Sequence, residues 1–404
     1  MNNYLYNSDA YLREFDSDVI SFEKSIFKNE EIYEFVLDQT CFFPEQGGQT
    51  SDTGSLICSD TGTKFEVFHV SIKNGVISHL ARLKGDPAGK DVKEPKCVHG
   101  TINWEERFDK MQNHSGEHLV SGTVHRFFGF DNVGFSLSDD NCTLDFNGTF
   151  SDGDIALIEK TVNRAVFENI EIQILYPDKE ELASLEFRSK KEIEGQVRIV
   201  VFPGYDTCAC CAPHVRRTGE IGLIKIVSAE HFKGGTRMSI RCGFRALDDY
   251  TGKLGECRKI SQLLSVPMGE VSAAVEKVNT EVRNLKYDLI GKMNTILSLK
   301  AREVIKAKNP LVFIESADTN AVRAAVNAMI KENNGICGIF TGNDEKGYSF
   351  VIASSDIDCV GVLSLLKLEA GAKGGGNAGM IQGSIPCSEN KIRALLKETD
   401  IRKV

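Results

Sequence analysis

Residues 114–118 read HSGEH and place two histidines, His114 and His118, four positions apart with Glu117 between them. On a helix, residues four apart project from one face, so the two imidazoles can bind one metal ion. In an H-x-x-E-H metallopeptidase, the histidines hold zinc together with a carboxylate, and the internal glutamate is the general base. In the other interpretation only the histidines matter, and Glu117 is an ordinary helix-forming residue.

A second pair of metal-binding residue types lies further along the chain, in the stretch CCAPH. Cys210 and His214 would complete a set of nitrogen and sulfur ligands, which is the set that zinc prefers. Cys211 competes with Cys210 for the sulfur position, and Cys208 is a weaker alternative. The two pairs together therefore predict one zinc ion per chain. An H-x-x-E-H peptidase does not need a Cys/His pair, so the second pair argues against the peptidase interpretation. The predicted ligands are His114, His118, Cys210 and His214.

The composition limits the class of protein. The chain has 404 residues, of which 41% are hydrophobic and 26% charged, as is typical of a soluble protein of two or three domains. The twelve cysteines are mostly scattered, which argues against a disulfide framework. No apolar run approaches the roughly 18 residues of a membrane span. The first residues lack the pattern of a secretion signal, so we expect no membrane partner and a cytoplasmic location.

The net charge of −9 argues against unspecific wrapping of nucleic acid, which favours a basic surface. Local basic patches remain compatible with this charge. The stretches around Arg216 and Arg217 and around Lys233 are two such patches.

The spacing of apolar residues predicts the elements that position these residues. Residues 1–95 alternate or run apolar between Gly, Asp and Asn breaks, which predicts strands and turns. From Trp104 the spacing becomes helical, and Gly129 ends a helix that carries both histidines. Up to about residue 250, further strands surround a helix that begins near Ser151 or Asp152.

Two more segments follow. The apolar spacing within residues 251–308 predicts a long amphipathic helix that begins after Pro267. The apolar face of this helix can pair with the same face of a second copy, which allows a homodimer through the C-terminal half. Residues 309–404 alternate between strand and helix, which predicts a small α/β domain. In this domain, CVGVLSLLKLEAGAKGGG is predicted as a helix that ends in glycines.

Five stretches, in this order, resemble one family. They are TCFFPEQGGQTSDTG (Thr40–Gly54), NHSGEHLVSG (Asn113–Gly122), CCAPHVRRTGEIG (Cys210–Gly222), KGGTRMSIR (Lys233–Arg241) and AGAKGGGNAGMIQG (Ala370–Gly383). The first four resemble the editing part of alanyl-tRNA synthetases and their free-standing relatives, the AlaX trans-editing proteins. The fifth resembles the glycine-rich end of the DHHA1 domain, and the whole order is that of the long AlaX type.

The resemblance implies an α+β fold of four parts. They are a small OB-like or translation-protein-type β-barrel (1–95), a zinc-dependent α+β editing domain similar to the second additional domain of synthetases (96–250), a helical or coiled linker (251–308) and an α/β DHHA1 tRNA-binding domain (309–404). We expect no class II synthetase catalytic domain ahead of residue 1, and the chain has no Walker-type G-x-x-x-x-G-K-[ST] segment. The protein is therefore not expected to charge tRNA.

Several positions depart from the family pattern. Gln46 stands where the first of three glycines is usual, and Phe43 where tyrosine is common. Asn377 and Ala378 interrupt the glycine run near the C-terminus. Pro213 is more similar to the editing domain of threonyl-tRNA synthetases than to the alanyl C-G-G-T-H form. These departures leave the amino-acid specificity more open than the fold.

The reaction that the resemblance implies is hydrolysis of the ester between a misattached amino acid and the terminal adenosine of tRNA(Ala). Seryl-tRNA is the first candidate and glycyl-tRNA the second, because a pocket built for alanine cannot strongly exclude other small side chains. Two other functions stay open: a zinc-stabilised tRNA-binding protein without catalysis, and the metallopeptidase. Zinc is catalytic if a coordination position is open, and it organises the site if all four ligands bind.

Within the first family stretch, four residues are candidates for substrate binding. The hydroxyl of Thr40 can recognise the serine hydroxyl, and Gln49 can hydrogen-bond the substrate; each can instead serve its own strand or turn. Gly47 and Gly48 allow close approach of the CCA end, or simply form a tight turn.

Basic residues are candidates for binding tRNA phosphates. Those expected at the acceptor end are Lys233, Arg237, Arg241, Arg216 and Arg217. Those expected at the elbow are Lys373 with the backbone amides of Gly374, Gly375 and Gly376. The alternatives are a solvated charged edge for the arginines and a flexible turn for the glycines.

Overall fold

The segment before Trp104 folds as a closed antiparallel barrel, because its strands bury alternate side chains on the inner face. The structure is a computed structural model that describes residues 3–85, 92–189 and 197–398. In chain order the elements here are β1 (Asn3–Tyr4), α1 (Leu5–Ser8), β2 (Glu14–Phe27), β3 (Glu30–Leu37), β4 (Gln39–Thr40), β5 (Gly54–Cys58), β6 (Lys64–Lys73), β7 (Val76–Lys84) and β8 (Cys97–Ile102).

The barrel closes in the order β2-β3-β7-β6-β5-β8, and β8 pairs back with β2. Phe35 and Phe65 fill its interior with their rings 4.9 Å apart. The predicted N-terminal β-barrel and the mixed α+β class are confirmed. Outside the barrel, the short strand β4 pairs in parallel with β1, and this pairing places Thr40 beside Tyr4.

The following region is built around one buried helix. The elements are α2 (Trp104–Phe128), β9 (Asn132–Leu137), β10 (Cys142–Phe146), α3 (Asp152–Glu168), β11 (Gln173–Leu175), α4 (Lys179–Ser184), β12 (Ile199–Phe202), β13 (Asp206–Ala209), β14 (Ile224–Phe232), β15 (Gly235–Cys242) and α5 (Phe244–Leu264). Gly129 ends α2 in the left-handed conformation, as predicted. Of the two predicted caps of α3, Ser151 and Asp152, the structure selects Ser151.

Two antiparallel sheets surround α2, a four-stranded one in the order β14-β15-β10-β9 and a three-stranded one in the order β11-β12-β13. Gly122 of α2 faces the carbonyl of Tyr205, at a distance that leaves no room for a Cβ atom. This close approach brings β13, which begins at Asp206, against the helix that carries the histidines.

The chain divides into two compact units, one that ends at Glu256 and one that begins at Cys257. The elements of the second unit after α5 are α6 (Val271–Val304), β16 (Leu311–Ile314), α7 (Thr319–Met329), β17 (Cys337–Asn343), β18 (Gly347–Ala353), α8 (Cys359–Ala370), β19 (Lys373–Asn377), β20 (Met380–Ile385) and α9 (Glu389–Glu398). Its sheet runs in the order β16-β17-β18-β20-β19, with only β16 and β17 parallel among the described strands. The alternating α/β pattern predicted for this region is therefore present.

One local prediction in this unit was wrong. The glycines after α8 do not prolong the end of that helix, because Gly371 already ends it in the left-handed conformation. Gly374, Gly375 and Gly376 instead form the edge strand β19, paired with β20. Glycines carry no side chain that could show a strand's alternation, so the sequence pattern gives no sign of this strand.

The long helix α6 begins after Pro267, as predicted. Near its end, Leu297 and Ala301 are buried against β16 and α7. The earlier part of its apolar row is exposed and consists of Val275, Val278, Val282, Leu285 and Leu289. None of the helices in residues 3–85, 92–189 and 197–398 combines the length and apolar composition of a membrane span.

A buried ion pair fastens the barrel to α2. Arg107, in the first turns of α2, and Asp52, in the loop before β5, are both almost completely shielded from water. The Arg107 guanidinium donates to both carboxylate oxygens of Asp52 and to the carbonyl oxygens of Ala10 and Cys41, the last at 2.6 Å. Asp52 also accepts the Phe43 N–H at 2.6 Å. The network therefore fixes the segment from residue 40 to residue 54 against α2.

We predict that Arg107→Met destabilises the first unit by about 3–5 kcal/mol, because it leaves the Asp52 carboxylate buried without its cation. The double variant Arg107→Met with Asp52→Leu should lose less than the sum of the two single changes. Urea unfolding followed by the fluorescence of Trp104, the single tryptophan of the chain, measures this free energy.

The matched control is Arg82→Met, which breaks an ion pair with Glu30 at 3.0 Å in which both side chains are exposed. This change should cost about 0–1 kcal/mol. Equal costs for the two arginine variants would contradict the assignment of a special role to the buried pair.

Candidate metal centre

His114 and His118 lie one turn apart on α2, as their spacing predicts. Their rings stack with centroids 5.4 Å apart and an angle of 15° between the planes, and both side chains are buried. The face of α2 that carries them is covered by the loop that follows β13.

That loop brings Cys210 and His214 to the same place. The His214 ring centroid lies 4.9 Å from that of His114 and 4.8 Å from that of His118. Cys210 Sγ lies 3.5 Å from His114 Nε2. One ligand atom from each of the four residues lies within 4.8 Å of the other three. Among the described residues, the structure thus brings together the four predicted metal ligands.

Unsatisfied nitrogen atoms at this point indicate that the four residues fit a metal ion. Both ring nitrogens of His214, and Nε2 of His118, are buried without a hydrogen-bond partner among the described residues. Buried polar atoms without a partner are rare in folded proteins, and a bound ion is one of the groups that can satisfy them. Three imidazoles and one thiolate are also the chemical types of ligand that zinc takes in its four-coordinate protein sites.

The structure also separates the three clustered cysteines. Cys211 is not part of the four-residue group, and burial raises the pKa of its thiol to about 11. Cys208 belongs to a second group that shares His118 and adds Asp206. Cys210 is therefore the cysteine that joins both histidines of α2 and His214.

Charges within the centre shift the pKa values of its members. Burial alone raises the pKa of the Cys210 thiol, but the neighbouring His114 and His118 outweigh burial and hold this pKa well below its usual range. For His118 burial lowers the pKa, but the hydrogen bond with Asp206, together with the neighbouring Cys208, Cys210 and Glu117, outweighs it and the pKa lies well above its usual range. Burial, followed by the two other histidines, holds the pKa of His214 well below its usual range. The thiolate form of Cys210, which binds metals, is thus favoured.

Each histidine of α2 is oriented from outside by a different segment. His114 Nδ1 donates to Gln49 Oε1 at 2.7 Å, and His118 Nδ1 donates to Asp206 Oδ2 at 2.9 Å. Arg188 holds the Asp206 carboxylate with two hydrogen bonds of 2.8 and 2.7 Å. Such outer partners fix the tautomer of a metal-binding histidine and leave its Nε2 lone pair for the ion. Asp206 was missed by the sequence analysis, although its position four residues before Cys210 was a visible signal.

The turn that carries Gln49 depends on its two glycines. Gly47 and Gly48 have φ values of 65° and 87°, and Gln46 and Gln49 exchange backbone hydrogen bonds of 3.1 Å across them. This is a two-residue turn of the type I′ kind, which requires positive φ at both positions. A Cβ on Gly48 would also lie 2.5 Å from the carbonyl oxygen of Phe135, so the turn packs directly on β9.

Thr40, the other predicted substrate-binding residue of this segment, is buried in β4. Its Oγ1 lies 2.9 Å from Nε2 of His79 and accepts the N–H of Phe42 at 3.1 Å. His79 was missed by the sequence analysis. The alternation of β7 could have revealed it, because His79 occupies the same inward face of the strand as Ile77 and Ala81.

Glu117, the central residue of HSGEH, is buried on α2. Its Oε1 accepts hydrogen bonds of 2.7 Å from Ser121 Oγ, one turn further on the same helix, and from Asn132 Nδ2 on β9. Its carboxylate is not part of either candidate metal group. These contacts favour the interpretation of Glu117 as a residue that ties α2 to β9 over that of a peptidase base. His125, which was not predicted to be a ligand, lies at the surface and pairs with Asp131.

Of the three basic residues predicted in the stretch Lys233–Arg241, two face carboxylates. Arg237 makes hydrogen bonds of 2.6 and 2.7 Å to Asp145 on the neighbouring strand, and Arg241 lies 3.1 Å from Asp249. Lys233 lies at the exposed tip of the β14–β15 hairpin, with its ammonium 5.1 Å from the ring centre of Phe232.

The second basic patch also has partners within the chain. Arg216 stacks on the ring of Tyr11 at 4.2 Å and pairs with Asp9 at 3.1 Å. Arg217 donates to the carbonyl of Asn169 at 2.6 Å. Both keep exposed side chains and directly follow the loop that carries the candidate ligands Cys210 and His214. In the second unit, Lys373 and the glycines of β19 are exposed along the edge strand.

We predict that Cys210→Ser weakens the binding of Zn²⁺ by more than about tenfold, since it removes the thiolate ligand and no other contact of the site. Cys211→Ser is the matched control and should bind Zn²⁺ as the wild type does. Competition between each protein and a chelator of known affinity measures both. Loss of Zn²⁺ binding in the Cys211 variant, with binding kept in the Cys210 variant, would contradict the assigned ligand set.

Comparison with known proteins gives a consistent result for both parts of the first unit. A family model described as tRNA synthetases class II (A) matches residues 10–106, which are the barrel and the beginning of α2. A second model, described as the threonyl and alanyl tRNA synthetase second additional domain, matches residues 197–238, which include Cys210 and His214.

Individual relatives extend the match over nearly the whole chain. The alanyl-tRNA editing protein AlaX-L of Pyrococcus horikoshii is 27% identical over 96% of this chain and 96% of its own length. The alanine–tRNA ligase of Pyrococcus furiosus is 29% identical over 97% of this chain, which spans only 43% of that enzyme. The alanyl-tRNA editing protein AlaX-M of Methanosarcina acetivorans is 33% identical over its entire length and 61% of this chain. On this evidence the chain belongs to the family of alanyl-tRNA editing proteins.

Proposed function

We propose that the protein hydrolyses the ester bond of a wrongly charged tRNA(Ala), with serine as the first candidate for the misattached amino acid and glycine as the second. Membership of the editing family makes the chain an enzyme, an aminoacyl-tRNA deacylase. One observation supports this function most strongly. The turn that contains Gly47 and Gly48 contacts the candidate metal centre through the hydrogen bond from His114 to Gln49. A substrate of this kind also implies a cytoplasmic location, where charged tRNA is used.

The chemical need for such an enzyme lies in the small size of the amino acids. A hydrophobic pocket distinguishes a hydroxyl or a methyl group only weakly, so a synthetase that selects alanine also accepts serine and glycine at a low rate. A second site that binds the wrong product and hydrolyses it corrects the error. The proposed partner is therefore tRNA(Ala), bound by its acceptor end at the first unit and by its elbow at the second.

We propose one zinc ion per chain, held by His114, His118, Cys210 and His214. When bound, zinc supplies positive charge that orients the end of the substrate and, if one position opens, polarises the ester carbonyl or a water molecule. Four protein ligands within reach of one another favour the organising role. The buried ligand atoms and their outer partners, Gln49 and Asp206, keep the site rigid.

The residues of the turn act on the substrate directly in this proposal. Gln49 uses its carbonyl oxygen for His114, while its Nε2 group is buried without a hydrogen-bond partner among the described residues. This amide is therefore available to donate to a carbonyl oxygen of the substrate, where charge develops during hydrolysis. Gly47 and Gly48 let the backbone of the turn come close to the CCA end.

The contact with tRNA involves both units. At the acceptor end, Lys233 offers an exposed ammonium. Arg237 and Arg241 are paired with Asp145 and Asp249, so each would have to leave its ion pair, or bind phosphate in addition to the carboxylate. Arg216 and Arg217 lie next to the metal loop in sequence and keep exposed side chains. At the elbow, the edge strand β19 offers Lys373 and the unhindered backbone of Gly375.

A homodimer through the C-terminal half also remains a proposal. Five apolar side chains of α6, from Val275 to Leu289, form an exposed row at helical steps of three or four. A second copy of the same helix would shelter this row, as in a coiled coil.

We predict that the zinc-loaded protein deacylates seryl-tRNA(Ala) at least about a hundredfold faster than buffer does, and alanyl-tRNA(Ala) much more slowly. The release of labelled amino acid from Ser-, Gly- and Ala-charged tRNA(Ala) measures this. Glu117→Gln should retain hydrolysis, because glutamine still accepts hydrogen bonds from Ser121 and Asn132.

Two outcomes of this assay would favour other functions. Tight binding of tRNA with no hydrolysis above buffer would identify a zinc-stabilised binding protein instead of an enzyme. Peptide cleavage that is abolished in Glu117→Gln would restore the metallopeptidase interpretation.

We also predict that Lys373→Glu weakens binding of complete tRNA(Ala) by about tenfold or more, while hydrolysis of a seryl acceptor-stem mimic is unchanged, because only the complete tRNA has an elbow. Lys346→Glu, which makes the same charge change at the exposed β17–β18 turn, is the control. Equal losses on the two substrates would contradict a role of β19 in elbow binding.

A further inference from the structure

Two adjacent cysteines, Cys210 and Cys211, stand at the start of the loop that carries His214. They precede this histidine by four and by three positions, and short spacings of this order are usual between paired zinc ligands. The spacing therefore gives no reason for a metal ion to bind one thiolate and not the other. In the structure, however, Cys210 is the one that belongs to the four-residue group.

The two cysteine side chains point to different sides of the loop. Cys210 Sγ lies 3.5 Å from Nε2 of His114. Cys211 faces the barrel turn, because a Cβ atom on Gly47 would lie 3.8 Å from its Sγ, and it packs against the apolar core of the barrel. The two sulfur atoms can exchange places only if the peptide groups next to them rotate. What holds these peptide groups therefore decides which thiolate faces the histidines.

Arg198 lies directly before β12 and holds the backbone on both sides of Cys210. Its own carbonyl oxygen accepts the N–H of Cys210 at 3.1 Å. Its Nη1 atom donates to the carbonyl oxygen of Cys210 at 2.7 Å and to that of Ala212 at 3.0 Å. Peptide groups are planar, so hydrogen bonds to the groups before and after a residue limit both of its backbone rotations. These bonds therefore fix the direction of the Cys210 side chain and also hold the far side of Cys211.

The surroundings of Arg198 make this arrangement difficult to change. Only 8% of the residue is exposed. A hydrogen bond from a charged donor is stronger than one between neutral groups, and a buried group that loses its partner is strongly disfavoured. Pro213 also restricts the backbone of Ala212 to extended conformations. A rotation that brought Cys211 toward the histidines would break the hydrogen bonds to Arg198 and leave buried carbonyl groups without their donor.

We propose that Arg198 is a positioning residue that selects Cys210 over Cys211 as the sulfur ligand of the candidate metal centre. The inference rests on the zinc ion proposed for the deacylase and deepens the account of that site. A centre that could use either thiolate would hold its ion in two alternative positions. The hydrogen bonds of Arg198 leave one of them.

The test uses Co²⁺ as the metal, since it binds the same nitrogen and sulfur ligands as Zn²⁺ and gives an intense near-ultraviolet absorption band when a thiolate is bound. In the full chain, Cys210→Ser should lose this band and bind Co²⁺ more than about tenfold more weakly, because Arg198 holds Cys211 away. Addition of Arg198→Met should restore most of the band, because Cys211 is then free to turn. The triple variant that also contains Cys211→Ser should lose the band again.

Two control variants separate positioning from a general loosening of the site. Arg188 is also a largely buried arginine beside the centre, but its guanidinium holds Asp206. Arg188→Met should not restore the band of Cys210→Ser. Arg198→Lys retains a cation that can donate to the same carbonyl groups, so its combination with Cys210→Ser should also lack the band.

Three results would overturn the proposal. They are a band that Cys210→Ser retains in full, a band that Arg198→Met fails to restore, and a band that both arginine variants restore equally. The fluorescence of Trp104 verifies that each variant is folded. If Arg198→Met does not fold, Arg198→Gln takes its place with the same expected results, because its shorter side chain cannot reach both carbonyl groups.

The absorption band also separates this inference from the proposed function, because its measurement involves no hydrolysis. If the wild type shows the band and hydrolyses no charged tRNA, the deacylase function fails, and the variants still decide the role of Arg198. If the wild type binds Co²⁺ without the band, or does not bind it, both the proposed zinc site and the role of Arg198 are wrong.

Discussion

The buried ion pair between Arg107 and Asp52 is the interaction on which the arrangement of the first unit depends. Charged groups are stable in the interior only when their hydrogen-bonding capacity is used, and here the guanidinium binds one carboxylate and two carbonyl oxygens. Since Arg107 is on the helix and its partners are in the N-terminal segment and the barrel loops, the pair fixes the position of one relative to the other. Loss of that position would move Gln49 away from His114.

The candidate metal centre lies where three segments of the chain meet. The helix supplies two histidines, the loop after β13 supplies Cys210 and His214, and the barrel turn supplies Gln49. The Nδ1 atom of each helical histidine hydrogen-bonds to a residue of another segment, Gln49 for His114 and Asp206 for His118. These hydrogen bonds orient the rings and leave each Nε2 atom directed toward the other candidate ligands. The absence of a side chain at Gly122 lets β13 come close enough for Asp206 to reach His118. In the function proposed here, the same turn that orients His114 also offers the Gln49 amide to the substrate, so that the metal centre and the substrate site form one unit.

The sequence predicted those parts of the molecule that are encoded by short-range patterns. The helix from Trp104 to Phe128 follows from apolar spacing and the glycine at its end, and the barrel strands follow from their alternation. The two pairs of metal-binding residues are visible because each is only four positions apart. The family stretches, recognised by their order, supplied the rest of the expected site.

The parts that the sequence did not predict depend on contacts between residues that are distant in the chain. The hydrogen bond from His118 to Asp206 joins two segments whose separation no periodicity reveals, and the same is true of Thr40 and His79. The arginines expected to face phosphate, Arg237 and Arg241, are paired with Asp145 and Asp249, whose positions opposite them become known only from the folded chain. The glycines of β19 form a strand because a partner strand lies beside them, while their own residue type favours no regular structure.

The barrel turn and the metal centre form one editing site in the function proposed for this chain. Single-turnover hydrolysis of seryl-tRNA(Ala) by Gln49→Ala, with the zinc content measured on the same protein, tests this central claim most directly. We expect zinc binding to weaken only moderately, so that zinc-saturated protein can be prepared, while hydrolysis falls by about a hundredfold because the donor to the substrate is lost. Hydrolysis at the wild-type rate by zinc-saturated Gln49→Ala would contradict the claim.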